Sequence, residues 1–182
     1  MSDPCDSSDI QYGSGAGIAR HRQLVVDIVT QSGDWDAIDG AEDLACEAVA
    51  AVAAAPELDV GHAEVAIALS SDAVVRTLNA THRRKDKATN VLSFPAAPGM
   101  PVAPGSPPFL GDIVLAAETV VCEAAEQSVP PAHHFQHLVV HGLLHLLGFD
   151  HETDAQAERM ERLETVILAR LGIADPYRET VP

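Results

Sequence analysis

The chain has 182 residues and carries 27 acidic side chains against 11 Lys and Arg, a net charge of −16 with histidine neutral. That length suits one domain with a real core and leaves little room for two, and the charge opposes unaided attraction to a polyanion. No apolar run reaches the length of a membrane span, and the polar start MSDPCDSSD lacks the basic head and apolar stretch of a secretion signal, so a cytoplasmic protein is expected.

Residues 1–20, rich in Ser and Gly, read as a disordered leader, and 21–178 as a single domain. The β-branched run from Gln23 to Val29 predicts a first strand. After Trp35 and Asp39, Ala41 to Ala54 has helical composition, with acids in its first turn that suit the helix dipole and Pro56 to stop it. His62 to Leu69 alternates with period two, as a half-buried strand does. Asp72 reads as the N-cap of a helix running to about Thr81.

Next comes a cationic cluster, Arg76, Arg83, Arg84, Lys85 and Lys87, which holds five of the eleven cations. By contrast, Asp34 to Glu64 contains nine acids and no Lys or Arg. Ala88 to Phe94 predicts a strand ended by Pro95, and a Pro- and Gly-rich loop runs from Pro98 to Pro108. Leu110 to Ala116 predicts another strand and Glu118 to Gln127 a helix. Pro130 and Pro131 open a further helix where proline is tolerated. The last helix, Asp154 to Leu171, has Met160, Leu163, Val166, Ile167 and Leu171 on one face and Gly172 past its end. Four strands and about five helices in one α/β domain follow from this pattern. Cys5, Cys46 and Cys122 are scattered and form no C-x-x-C pair, so neither a disulfide frame nor a cysteine metal cluster is expected.

The chemistry concentrates in the string HGLLHLLGFDH, which contains His141, His145 and His151. Residues i and i+4 share a helix face, so the first two rings can reach one point. Gly148, free to take the left-handed conformation, ends the helix and turns the chain so that His151 can join them. Three imidazoles with a fourth position open describe a catalytic zinc site rather than a closed structural one. The spacing is that of the long zinc-protease motif, but Gly142 stands where those enzymes carry a glutamate base. A glycine accepts no proton, so proteolysis becomes an alternative only.

Three strings carry a family resemblance: HGLLHLLGFDH, LNATHRRKDKATNVLSFP from Leu78 to Pro95, and FLGDIVLA from Phe109 to Ala116. Together with Met160, Glu161, Glu164, Ile167 and Leu171, they resemble the YbeY endoribonucleases, bacterial metal-dependent rRNA maturation factors. The resemblance implies a single α/β domain with a small mixed sheet and one zinc ion in a cleft on His141, His145 and His151. It also implies Arg83 as the catalytic arginine. The implied substrate is single-stranded RNA, in 16S rRNA 3′-end maturation, rRNA processing and ribosome quality control, with the ribosomal small subunit or associated factors as partners and with neither membrane nor DNA. His82, Arg84, Asn90 and Phe149 depart from the commoner family residues, so a role for a carboxylate at position 90 does not transfer.

On this reading zinc activates water while Arg83, with its planar fork of donors, steadies the phosphate. Lys85 and Lys87 are candidate RNA-backbone contacts, against the alternative of a solvated loop. His137, one turn before His141, is a candidate substrate contact or proton shuttle. Asp150 either orients a ligand ring or forms a solvated turn, and Ser93 and Asn90 either serve the site or satisfy backbone groups. His133 and His134 are expected to be exposed. The competing functions are a metalloprotease-like hydrolase and a non-catalytic zinc-containing ribosome-assembly factor.

Overall fold

The computed structural model describes residues 23–178, so the leader expected over residues 1–20 lies outside the described residues. Among the described residues five helices and four strands follow in the order β1 (Gln23–Thr30), α1 (Ala41–Ala53), β2 (His62–Ser70), α2 (Asp72–Arg83), β3 (Val91–Pro95), β4 (Phe109–Ala116), α3 (Ala117–Glu126), α4 (Pro131–Leu146) and α5 (Asp154–Arg170). The sheet order is β1-β2-β4-β3. β1 and β4 each run parallel to β2, and β3 runs antiparallel to β4, which gives the mixed four-stranded sheet that the resemblance implied.

Period-two patterning decides which face each helix covers. Val65, Ile67 and Leu69 of β2 and Ile113 and Leu115 of β4 point to one side, where they join α1, α4 and α5 in the main core around Phe135, Val139, Leu143 and Ile167. The intervening residues, Val114 and Ala116 of β4 and Leu92 of β3, form a smaller cluster with Val75 under α2. α4 is apolar on most of its circumference because it is wedged between the sheet, α1, α3 and α5.

The expected elements are all present, with shifts at their ends. Ser71, not Asp72, is the N-cap of α2. The Asp72 carboxylate instead accepts from the backbone N–H and hydroxyl of Thr119, while its own N–H donates to Glu118. Each helix thus supplies the other's orphan amide with a carboxylate, a cross-connection between α2 and α3 that a local reading of one segment has no way to find. β3 begins at Val91 because Asn90 turns its side-chain oxygen onto the Val91 N–H, and Pro95 closes the strand from within rather than from outside. Pro95 is tolerated there because β3 is an edge strand.

Candidate metal centre

α4 ends in the way Gly148 predicts. Gly148 takes φ 88°, its N–H donates to the His145 carbonyl, and the Phe149 N–H donates to the Leu144 carbonyl. This is the paired closure of a Schellman turn, and it reverses the chain within two residues of the helix end. The turn delivers His151 beside His141 and His145, with ring centroids 5.7 and 5.1 Å away and 4.6 Å between the two helical rings. One nitrogen from each of the three rings lies within 4.8 Å of the others, so the group could hold a metal ion.

Protonation logic shows what this arrangement lacks. The Nδ1 of His145 lies 3.0 Å from the Phe149 carbonyl, which can only accept, so that nitrogen carries the proton. The Nδ1 of His141 lies 2.7 Å from the Glu164 carboxylate, which likewise only accepts when ionised. In their neutral forms both rings present bare Nε2 lone pairs, which face each other at 3.1 Å. A proton or a metal ion relieves the repulsion of two such lone pairs, and imidazole is a common ligand for divalent metals. The donor set fits a metal ion. Burial, followed by the neighbouring rings of His141 and His151, pushes the His145 imidazole below its usual range, which favours the unprotonated ring that a metal requires.

Glu164 holds this arrangement from below, and sequence reasoning gave it no role. It has no exposed surface. Its Oε1 accepts from His141, while Oε2 lies 2.9 Å from His137 Nε2 and accepts from the Tyr177 hydroxyl. Burial alone would raise its pKa, but the hydrogen bonds from His137, His141 and Tyr177 prevail and hold it at about 2. Burial and the adjacent carboxylate push the Tyr177 phenol well above its usual value, so it remains a donor. A signal for Glu164 was present, because it stands between Met160 and Ile167 on the apolar stripe of α5, where an acid requires partners. Tyr177 lies beyond the last helix and left no such signal.

Gly142 occupies the sheet-facing side of α4. A Cβ there would meet Ser93 Oγ and Ile113 Cγ2 at 3.1 Å. The position at which a zinc protease needs its glutamate is here a close helix–sheet contact with no room for an acid. The Ser93 hydroxyl donates to the Gly142 carbonyl at 3.0 Å, and the Ser93 carbonyl receives Arg83 Nη2 at 3.5 Å. Arg83, the last residue of α2, is thus linked to the His141 turn of α4 through Ser93.

The other candidates divide. His137 joins Glu164 rather than the three-nitrogen point. His134, expected to be exposed, is buried and bonds Glu123, which also accepts from Asn90; the helix start is inside because α3 packs over it. Asp150 accepts from the His151 backbone N–H and touches no ligand ring, so it is the turn-forming residue. In the cationic cluster, Arg76 is neutralised by a bidentate pair with Asp86 at 2.6 and 2.9 Å. Arg83, Arg84, Lys85 and Lys87 are exposed, and the loop is shaped by Asn79, which caps it through the Lys87 carbonyl. Among the described residues no helix is long and apolar enough to cross a membrane.

A family model described as Endoribonuclease YbeY matches residues 30–172. An endoribonuclease YbeY of Nitrobacter winogradskyi is 52% identical over 155 residues, spanning 84% of this chain and 82% of the relative. One from Rhodopseudomonas palustris is 49% identical over 162 residues, 89% and 85% of the two chains, and one from a Bradyrhizobium species is 48% identical over 157 residues, 84% and 92%. Matches of this extent, the family model spanning the histidine turn and Arg83, show that the chain belongs to the endoribonuclease YbeY family.

Proposed function

We propose that this member of a nuclease family is a zinc-dependent endoribonuclease specific for single-stranded RNA, with one ion held by His141, His145 and His151. The observation that carries the metal reading is the convergence of one nitrogen from each of the three rings within 4.8 Å, with the two helical Nε2 atoms at 3.1 Å. A tetrahedral zinc with Zn–N of about 2.0–2.1 Å separates its ligand nitrogens by about 3.3 Å, close to that spacing. Zinc bound there would supply a Lewis acid with an open position for solvent or a phosphate oxygen.

The chain's own residues do the rest. Arg83 is the proposed catalytic residue: with Nη2 against the Ser93 carbonyl, its remaining N–H groups are available to grip a non-bridging phosphate oxygen and neutralise charge that builds during cleavage. Lys85 and Lys87, on the loop that follows, are the proposed backbone contacts. His137 acts through Glu164, keeping that carboxylate on His141, and is a weaker candidate for direct substrate contact. The biological setting we propose is maturation of the 16S rRNA 3′ end, rRNA processing and ribosome quality control in the cytoplasm, with the small subunit or its associated factors as partners.

Metal content and cleavage of a single-stranded RNA, measured side by side at fixed salt, test this reading. His145→Ala should lose both. Arg83→Ala should keep its zinc and lose about a hundredfold or more in turnover. A zinc-free protein of undiminished activity, or an Arg83→Ala enzyme as fast as the native one, overturns the assignment.

A further inference from the structure

Between the end of α4 and the segment joining β3 to β4 lies a cavity that the chemistry above leaves unused. Pro95, Met100, Val102, Pro107, Phe109 and Leu146 line it, and it encloses about 390 Å³. Its walls are the segment between β3 and β4, the start of β4 and the last turn of α4.

Position is the first argument for what it holds. Leu146 follows His145 and lies one helical turn beyond Gly142, whose carbonyl is bonded by Ser93. Pro95 lies two strand residues beyond Ser93, whose carbonyl receives Arg83. Rises of about 1.5 Å per helical residue and about 3.3 Å per strand residue put both walls roughly 6 Å along from the Arg83–Ser93–Gly142 link. The cavity therefore adjoins the place proposed for the phosphate, within reach of the next nucleotide of the same strand.

Composition is the second. No acidic or basic side chain lines it, although the chain has 27 acids. A cavity at the start of α1, by contrast, is walled by Asp36, Asp39, Glu42 and Asp43 and would repel a nucleic acid. A wall without charged side chains offers phosphates little, but Phe109, Met100 and Val102 offer the face of a base a surface, since bases stack on aromatic and apolar side chains with little regard to sequence. Exposure is the third: Met100 and Val102 are 54% and 50% exposed, apolar surface left in water on the rim of this cavity.

The geometry points to this cavity as the seat of one unpaired nucleobase, from a nucleotide adjoining the cleaved phosphodiester, with the Phe109 ring as its platform. The assignment rests on the nuclease reading and extends it. It also gives a physical reason for preferring single strands, because a base engaged in a duplex must be unpaired and unstacked before it can enter.

The experiment uses single-stranded RNA oligonucleotides with one cleavage site and a single abasic residue moved through successive positions. Zinc-loaded native protein is compared with Phe109→Ala and with Ala97→Phe, which fills the cavity from an exposed rim position and does not depend on the core. At one position next to the cut, losing the base should lower kcat/KM about 5- to 100-fold in the native enzyme. The same lesion should cost less than about twofold in either variant, both of which should show the loss on intact RNA while keeping their zinc. Native enzyme that cleaves normally with no abasic position coupled to these variants removes the base seat and leaves the nuclease reading standing. An Ala97→Phe protein that changes its oligomeric state instead of its RNA affinity makes the face a contact between copies. Zinc-loaded protein that neither binds nor cuts RNA ends both readings.

Discussion

Replacing Glu164 by Gln is the sharpest test of how the metal centre is built. The amide keeps the size of the carboxylate but has one acceptor oxygen and one NH2 group. If the oxygen stays on His141 Nδ1, the NH2 meets the Tyr177 hydroxyl and His137 Nε2, which must turn or change tautomer to accept. If the amide is reversed, the NH2 faces the His141 N–H and that bond is lost. In either orientation the negative charge that makes His141 a better donor to a metal disappears. Loss of such a partner weakens metal affinity by about 10- to 100-fold, or about 1.4–2.7 kcal/mol. A competition titration of metal-free protein against a chromophoric zinc chelator at neutral pH reads this directly. His137→Ala, which leaves the Oε1 bond to His141 in place, should cost less. A folded Glu164→Gln protein with native zinc affinity would refute the idea that the carboxylate tunes the ligand.

In metal-free protein Glu164 also sets acid stability. Its carboxyl is held well below its ordinary value of 4.5 by the hydrogen bonds from His137, His141 and Tyr177, so it stabilises the folded state at pH above 4.5. That contribution is lost as pH falls through about 2, and Glu164→Gln should show a flatter acid limb in urea titrations between pH 5 and 2. Gly142→Glu should abolish stable folding rather than create a peptidase, because its Cβ already meets Ser93 and Ile113 at 3.1 Å; soluble protein with peptidase activity would contradict the packing argument. Gly148→Ala meets no atom within 4 Å, so its cost is purely the left-handed backbone, about 1–2 kcal/mol, seen as a lower Tm together with weaker zinc binding as His151 drifts. Replacing Lys85 and Lys87 by Ala should weaken RNA binding and flatten the dependence of log K on log salt by about 1.4, that is about 0.7 per lost phosphate contact.

What could be read from the chain was what depends on local periodicity. The β2 alternation, the α4 histidine pair and the Gly148 reversal each follow from residues within one turn or one strand. The parts not legible were long-range pairings of polar groups. Asp72 looks like a cap for its own helix and caps α3 instead, because its carboxylate accepts from the Thr119 amide and hydroxyl. His134 looks exposed until α3 brings Glu123 to it. Glu164 was visible as an acid on an apolar stripe, but its meaning required knowing that the stripe packs against the histidine face of α4. Tyr177 reaches the same carboxylate from past the last helix, where no periodicity exists to point anywhere.

The charge of the chain acquires a physical sense from this geometry. A body at −16 pays a general penalty for approaching RNA, and Asp86 removes one cation of the cluster by pairing with Arg76. Of the cluster, Arg83, Arg84, Lys85 and Lys87 remain exposed, and the divalent ion proposed on the three histidines would add positive charge to the site. Affinity therefore has to come from few contacts made at one place, not from a broad basic face. Loading the metal should then govern RNA binding as well as cleavage: metal-free protein, with the same lysines and the same Arg83, should bind single strands markedly more weakly at fixed ionic strength. Equal binding with and without zinc would mean that the strand is held elsewhere on the surface, and the three histidines would lose their claim to the phosphate.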